Sequence, residues 1–185
     1  MTLNEDRPIT ILEEADGFTI LLGDVFHAVD TKLCGRLGIT RLLNTAKRCR
    51  LPNSDEPRQV LTVPLPENGQ CELALAGEFF VDGYAPSSAS ASRLDLYFEF
   101  LTSAKANGVK VLLLCSNGKN RSASVLLGWL MHDKCMTLQQ AVDLLQGKRP
   151  DACVCPALFA QLQALEVAIH GGETTVKTSP YPEPK

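Results

Sequence analysis

The residues best able to do chemistry in this chain form one cluster, Cys115-Ser116-Asn117-Gly118-Lys119-Asn120-Arg121-Ser122. An apolar run, Val111 to Leu114, ends at Cys115, and a helical pattern from Ala123 to Met131 follows Ser122. That order reads as a buried strand, a short loop and a helix N-terminus. A helix N-terminus leaves backbone N–H groups unpaired and carries the positive end of the helix dipole, so the loop before it suits an oxyanion. Gly118 lets the loop curl with its amides facing inward, because glycine takes positive φ freely. The same field favours thiolate, the nucleophilic form of Cys115. Arg121, six residues after Cys115, carries a planar fork that matches two phosphate oxygens. A positive charge at a helix start is unfavourable unless an anion is bound there. The chemistry indicated is attack on phosphorus, with Ser116, Asn117, Gly118, Lys119, Asn120 and Arg121 forming the phosphate cup.

The pattern C-x-x-G-x-x-R-S at the end of an apolar strand resembles the signature loop of the cysteine-dependent protein phosphatases. The surrounding chain narrows the resemblance to their dual-specificity group. Leu21 to Ala46, LLGDVFHAVDTKLCGRLGITRLLNTA, is similar to the opening of those domains, and Arg149-Pro150 with Leu158 to Glu166 is similar to their C-terminal helices. The resemblance covers residues 9–170 and implies a single α/β domain, a central mixed β-sheet flanked by α-helices. It implies that Cys115 takes the phosphoryl group, that Arg121 stabilises the transition state, and that Ser122 hydrogen-bonds the thiolate and helps it leave. It also implies a general acid, an aspartate about thirty residues before the cysteine, to protonate the leaving oxygen. Asp82, 33 residues before Cys115, fits that place; Asp95 and Glu67 are the rivals. The implied substrates are proteins phosphorylated on tyrosine and on serine or threonine, with neither metal nor cofactor.

One departure stands out. The family carries histidine directly before the cysteine, and this chain has Leu114. Leucine donates no hydrogen bond, so the expectation is a higher thiol pKa and slower turnover. That departure motivates one alternative, a phosphatase-like domain that binds phosphorylated partners with little turnover. Lys119 and the pair Asn120-Arg121 motivate another, a phosphoinositide or RNA 5′-triphosphate phosphatase. The low-molecular-weight phosphatases share C-x5-R-S, but they place the loop near the N-terminus and the acid downstream, the reverse of this chain. His27, His132 and His170 are scattered, and none is placed by sequence as a base for Cys115, so a cysteine-protease reading has no support.

The elements that must position this cluster follow from pattern. Ile9 to Glu13 and Phe18 to Leu22 read as strands joined at Asp16-Gly17, a hairpin signal. Asp30 caps a helix from Thr31 to Leu37 that Gly38 ends, and Ile39 to Asn44 reads as a strand. Leu51 to Pro57 reads as loop, Gln59 to Val63 and Glu78 to Val81 as strands, and Ala85 to Ser92 as a flexible small-residue stretch. Leu94 to Ala106 is a helix with Leu94, Tyr97, Phe98 and Leu101 on one face. Ser122 to His132 is a buried helix, Thr137 opens a capping box, and Pro156 suits the first turn of a last helix, Ala157 to Ile169. Residues 1–8 read as an N-terminal extension and residues 171–185 as a disordered tail without apolar periodicity.

Composition excludes several classes. With 185 residues, a net charge of −3 and a pI near 5.6, the chain can bury one core and is not a general nucleic-acid or membrane-surface binder. No run is long enough to span a bilayer, and the N-terminus shows no signal peptide. Seven cysteines are an odd number for a disulfide framework and fit no zinc spacing, so a reducing cytoplasmic compartment is the expectation. Asn120-Arg121-Ser122 also matches a glycosylation sequon, set aside because it lies inside the candidate loop.

Overall fold

The computed structural model describes residues 8–46, 58–66, 73, 79–87 and 92–181. Six strands form one sheet: β1 Ile9–Glu13, β2 Thr19–Asp24, β3 Ile39–Asn44, β4 Gln59–Thr62, β5 Phe80–Asp82 and β6 Lys110–Cys115. Their order is β1-β2-β6-β3-β4-β5. The four central strands run parallel, and the two edge strands pair antiparallel. The expected mixed α/β sheet is therefore present. Parallel strands need both faces covered, and the helices supply that cover.

Alternation along β6 shows the two layers. Val111 and Leu113 face the larger core with Trp129, Phe100, Leu126 and Leu162. Leu112 and Leu114 face a smaller cluster of Leu21, Ala28, Cys34, Ile39 and Leu42. Period-two alternation gives the residue after Leu114 the same side as Val111 and Leu113. Cys115 thus emerges at the C-terminal end of a central strand, on the face covered by the large helical layer.

The helices are α1 Val25–Val29, α2 Thr31–Leu37, α3 Arg93–Ala106, α4 Arg121–Lys134, α5 Leu138–Lys148 and α6 Pro156–His170. Caps fix their starts. Asp30 accepts from the Leu33 N–H, Ser92 and Thr137 each form a reciprocal capping box, and Gly38 ends α2 at φ 69°. Asp95, one rival for the acid, is the capping partner of Ser92. The sequence pattern gave no sign of α1. It is a five-residue helix whose cap, Asp24, accepts from the His27 N–H while His27 Nδ1 accepts from the Asp24 N–H. Helix α4 is buried from Arg121 through Met131, as its nearly all-apolar sequence requires. Gly128 lets it approach α3 and α6; a Cβ there would stand 3.4–3.7 Å from Leu165, Phe98 and Leu162.

The expected disordered tail is corrected in its first part. Glu166 on α6 is 2% exposed. It accepts hydrogen bonds from Thr174 Oγ1, from Thr175 N and Oγ1, and from Leu138 N. Val176 and Tyr181 are buried against the core, Tyr181 edge-on to Phe159 at 5.9 Å. Two threonines and two isolated apolar residues anchor the segment, which has no period for a sequence pattern to reveal. Residues 182–185, 1–7 and the expected loop at Leu51 to Pro57 lie outside the described residues.

Candidate active site

Strand β6 delivers Cys115 to the floor of a tight loop, and α4 begins at Arg121, so the loop spans only residues 116–120. The sulfur is fully buried, yet its neighbours are polar. Ser122 Oγ donates to Cys115 Sγ at 3.3 Å. The backbone N–H groups of Ser122 and Asn117 are also directed at it. In its thiol form Sγ donates to Asn117 Oδ1 at 3.6 Å. Burial pushes the Cys115 pKa up, but the Ser122 hydroxyl, the two amides and the Arg121 guanidinium outweigh it and hold the thiol below its ordinary range. A buried thiol among apolar groups would go the other way, as Cys34 does: burial raises its pKa.

Arg121 is 3% exposed. Its Nη1 donates to the Leu65 carbonyl at 3.2 Å and its Nη2 to Ser116 Oγ at 2.6 Å. The guanidinium is thus pinned across the loop from two sides, and the chain leaving β4 passes over it at Leu65.

The loop is braced from below. Gly118 sits at φ 67°, and a Cβ there would lie 2.5 Å from the Gly23 carbonyl oxygen and 3.1 Å from Arg149 Nη1. Only glycine fits that place. Arg149, 8% exposed, donates from Nη2 to the Asn117 carbonyl at 3.2 Å and from Nη1 to the Leu22 carbonyl at 3.4 Å. Asp151 holds Arg149 Nε at 3.3 Å and Lys119 Nζ at 2.9 Å. Burial raises the Asp151 pKa, but Lys119 and Arg149 outweigh it and hold the carboxyl below its usual range. The Lys119 and Asn120 side of the loop is tied to the chain before α6: Cys153 N donates to the Lys119 carbonyl and Cys155 N to Asn120 Oδ1, both at 2.9 Å. The Asn120 amide is therefore engaged in the fold, consistent with setting the sequon aside.

A thiol biased toward thiolate, a buried arginine beside it and a glycine-pinned loop at a helix N-terminus can hold a tetrahedral oxyanion over a nucleophile. The family model for the dual specificity phosphatase catalytic domain matches residues 20–168. The chain belongs to the dual-specificity phosphatase family. Arabidopsis thaliana dual specificity protein phosphatase 1 is 38% identical over 79 residues, 40% of each chain. The A. thaliana protein-tyrosine-phosphatase IBR5 is 26% identical over 154 residues, 83% of this chain and 51% of that one. The chain thus spans about half, or less, of the length of these relatives. In fold it is similar to human DUSP28, with a TM-score of 0.68 at 23% identity over 88% of this chain and 95% of that one.

Within this phosphatase domain the structure brings Cys115, Ser116, Asn117, Gly118, Lys119, Asn120, Arg121 and Ser122 together. It does not bring Asp82 to them. Asp82 pairs with Val60, Val60 with Leu42, and Leu42 with Leu112. Asp82 is therefore three strands from β6 and level with a residue three positions before Cys115. At ordinary strand spacing that is about 14 Å across and 10 Å along, or about 17 Å in all. An acid must come within hydrogen-bond reach of the leaving oxygen. Because β5 is antiparallel, the chain runs away from the site as it reaches Asp82. Glu67 lies outside the described residues.

Leu114, in the histidine's place, is fully buried in the smaller apolar cluster. Its carbonyl instead accepts from both the N–H and the hydroxyl of Thr45 at 2.9 Å. Thr45, Arg149 and Asp151 are the supporting residues that sequence reasoning missed. Lys148-Arg149-Pro150 was legible as a chain break and as part of the resemblance in the C-terminal helices, but not as a brace for the loop.

Proposed function

We propose that this domain hydrolyses phosphotyrosine and phosphoserine or phosphothreonine in protein substrates through a phosphocysteine at Cys115. The observation that carries the reading is the Cys115 sulfur, held by Ser122 and two loop amides beside the buried Arg121. The phosphoryl group sits in the cup of residues 116–121, and Cys115 Sγ attacks phosphorus as the bond to the substrate oxygen breaks. Arg121 exchanges its bonds to Leu65 and Ser116 for two equatorial phosphate oxygens. In the second step water attacks phosphorus, and Ser122 Oγ donates to the departing thiolate.

We assign protonation of the leaving oxygen to Glu67 rather than Asp82. Glu67 follows two residues after Leu65, whose carbonyl touches Arg121. Two residues of chain span at most about 7 Å, and that short tether to the Leu65 carbonyl is what supports the assignment. The comparison of Glu67→Gln with Asp82→Asn tests this: the first lowers kcat on poor leaving groups and flattens the basic limb of the pH profile, and the second leaves both unchanged. The reverse pattern overturns the assignment.

The substrate class is tested on a panel of phosphotyrosine and phosphothreonine peptides, a phosphoinositide and an RNA 5′-triphosphate, with wild type and Cys115→Ser. Turnover of both peptides, lost in Cys115→Ser, supports the reading. Turnover confined to the lipid or the RNA replaces it, and background rates on all four, equal in the two proteins, make the domain a phosphate binder.

A further inference from the structure

The chain after α6 docks along that helix in a fixed direction. Thr174 and Thr175 hold Glu166, and Gln163 Nε2 donates to the carbonyls of Val176 at 2.6 Å and Lys177 at 3.3 Å. The Tyr181 ring lies edge-on to Phe159 at 5.9 Å. The partners on α6 step back from 166 to 163 to 159 as the tail advances from 174 to 181. A helical turn is 3.6 residues, so the tail runs back along α6, about one turn at a time, toward the start of that helix. Val176 and Tyr181, each 7% exposed, join the core on the way.

The start of α6 is where the chain meets the phosphate loop. Residues 152–155 form neither helix nor strand, so their position depends on what packs against them. Cys153 N holds the Lys119 carbonyl and Cys155 N holds Asn120 Oδ1. Phe159 N in turn donates to the Cys155 carbonyl at 2.9 Å, which places the Tyr181 ring one turn from that contact. Burial pushes the Tyr181 hydroxyl up to about 12, and the neighbouring Cys153 thiol adds to the rise. That hydroxyl is buried without a hydrogen-bond partner among the described residues, so the ring and not the hydroxyl makes the contact.

The two halves of the phosphate loop are therefore held by different parts of the chain. Arg149 holds the Asn117 carbonyl, and the Gly23 carbonyl closes on Gly118. Lys119 and Asn120 rest instead on residues 153 and 155. The groups that polarise Cys115, which are Ser122, the Asn117 amide and Arg121, do not include either of them.

We propose that residues 174–181 are part of the phosphate site, with Tyr181 as a positioning residue whose ring fixes residues 153–155 and, through them, Lys119 and Asn120 of the cup. The inference rests on the reading of residues 116–121 as a phosphate cup. It separates two properties of the site: the docked tail governs how well the cup fits a phosphate, and the thiol pKa is independent of it.

The test uses the full chain with Tyr181→Ala, Tyr181→Phe and Gln163→Ala, and reads phosphate binding without turnover. Inorganic phosphate is titrated by amide NMR, and hydrogen exchange is followed at Cys153 and Cys155. In Tyr181→Ala those two amides lose protection, and the phosphate Kd read at Lys119 and Asn120 rises about tenfold, the worth of roughly one hydrogen bond. The acidic limb of kcat/KM against pH keeps its place. Tyr181→Phe removes only the unpartnered hydroxyl and keeps wild-type protection and affinity. Should Tyr181→Ala fail to fold, Gln163→Ala, which releases the middle of the tail, carries the test with a smaller change in the same direction. A folded Tyr181→Ala protein with wild-type phosphate affinity overturns the proposal and leaves the tail as packing alone. A shifted acidic limb also overturns it, because the effect would then lie at the thiol. A wild-type protein that binds no phosphate at the loop overturns the cup itself, and this inference with it.

Discussion

Gly118→Ala tests the loop geometry most sharply, because the cost can be worked from the structure. At φ 67° an alanine is held in the left-handed region, at about 1–2 kcal/mol. Its Cβ would stand 2.5 Å from the Gly23 carbonyl oxygen, where ordinary contact begins near 3.4 Å. The loop or the end of β2 must therefore give by about 0.9 Å, and overpacking of that kind costs about 1–3 kcal/mol. The sum, about 2–5 kcal/mol, lowers Tm by roughly 5–15 °C in a chain of this size. The functional effect is larger. A displacement near 1 Å in the groups that position a reacting centre costs about 100-fold in rate, and Asn117 N–H and Arg149, which bear on the sulfur and on the loop, move with Gly118. The assay is kcat/KM on an aryl phosphate at a temperature where circular dichroism shows the variant folded. A folded variant with wild-type kcat/KM refutes the claim that loop curvature sets the site.

Four further outcomes follow from named contacts. Ser122→Ala removes a hydrogen bond that lowers the Cys115 pKa; the thiolate then forms at higher pH, so the acidic limb of kcat/KM against pH moves upward and peak turnover falls. A limb that stays in place contradicts the assigned contact. Arg149→Met releases the Asn117 and Leu22 carbonyls and leaves Lys119 as the remaining cation on Asp151. The expected result is a loss of about 1–3 kcal/mol of stability by denaturant unfolding with a fall in kcat, and an unchanged kcat would show the brace to be dispensable. Leu114→His places an imidazole among Leu21, Ala28, Cys34 and Leu112, so the variant loses about 1–3 kcal/mol unless the ring finds a partner, and recovery of both stability and a lower thiol pKa would show that it does. Glu166 is held by four hydrogen bonds that outweigh burial and keep its pKa below the usual carboxylate range. A depressed carboxyl pKa stabilises the fold above the unfolded value, and that stability is lost as pH falls through the folded value. The amides of Thr175 and Leu138, which both donate to Glu166, should therefore lose hydrogen-exchange protection in acid before the core does, and Glu166→Gln should remove most of that pH dependence.

What was legible in the sequence was whatever rests on short-range physics. The short loop between strand β6 and the buried helix that follows, the caps at Asp30 and Thr137, the stop at Gly38 and the run of strand β6 are all local patterns, and the structure keeps each of them. Helix α1 was not legible because five residues carry less than two turns of period, and its cap works through His27. The Arg149 brace was hidden because its partners, Leu22 and Asn117, are backbone carbonyls, which have no sequence identity. Counting residues back from Cys115 pointed to Asp82, but residue number measures contour length, whereas strand β5 runs antiparallel and carries its end away from the loop. The tail from Gly171 to Tyr181 was misread because it docks through single anchors, Val176 and Tyr181, and through a buried acid on another helix.

The central claim is that Cys115 takes the phosphoryl group. Acid quenching during turnover of an aryl phosphate, followed by mass spectrometry of the digested protein, tests it directly. The account predicts one added phosphoryl group on the peptide that contains Cys115, absent from Cys115→Ser, which should also be inert. A Cys115→Ser protein that hydrolyses the ester as fast as wild type would contradict it.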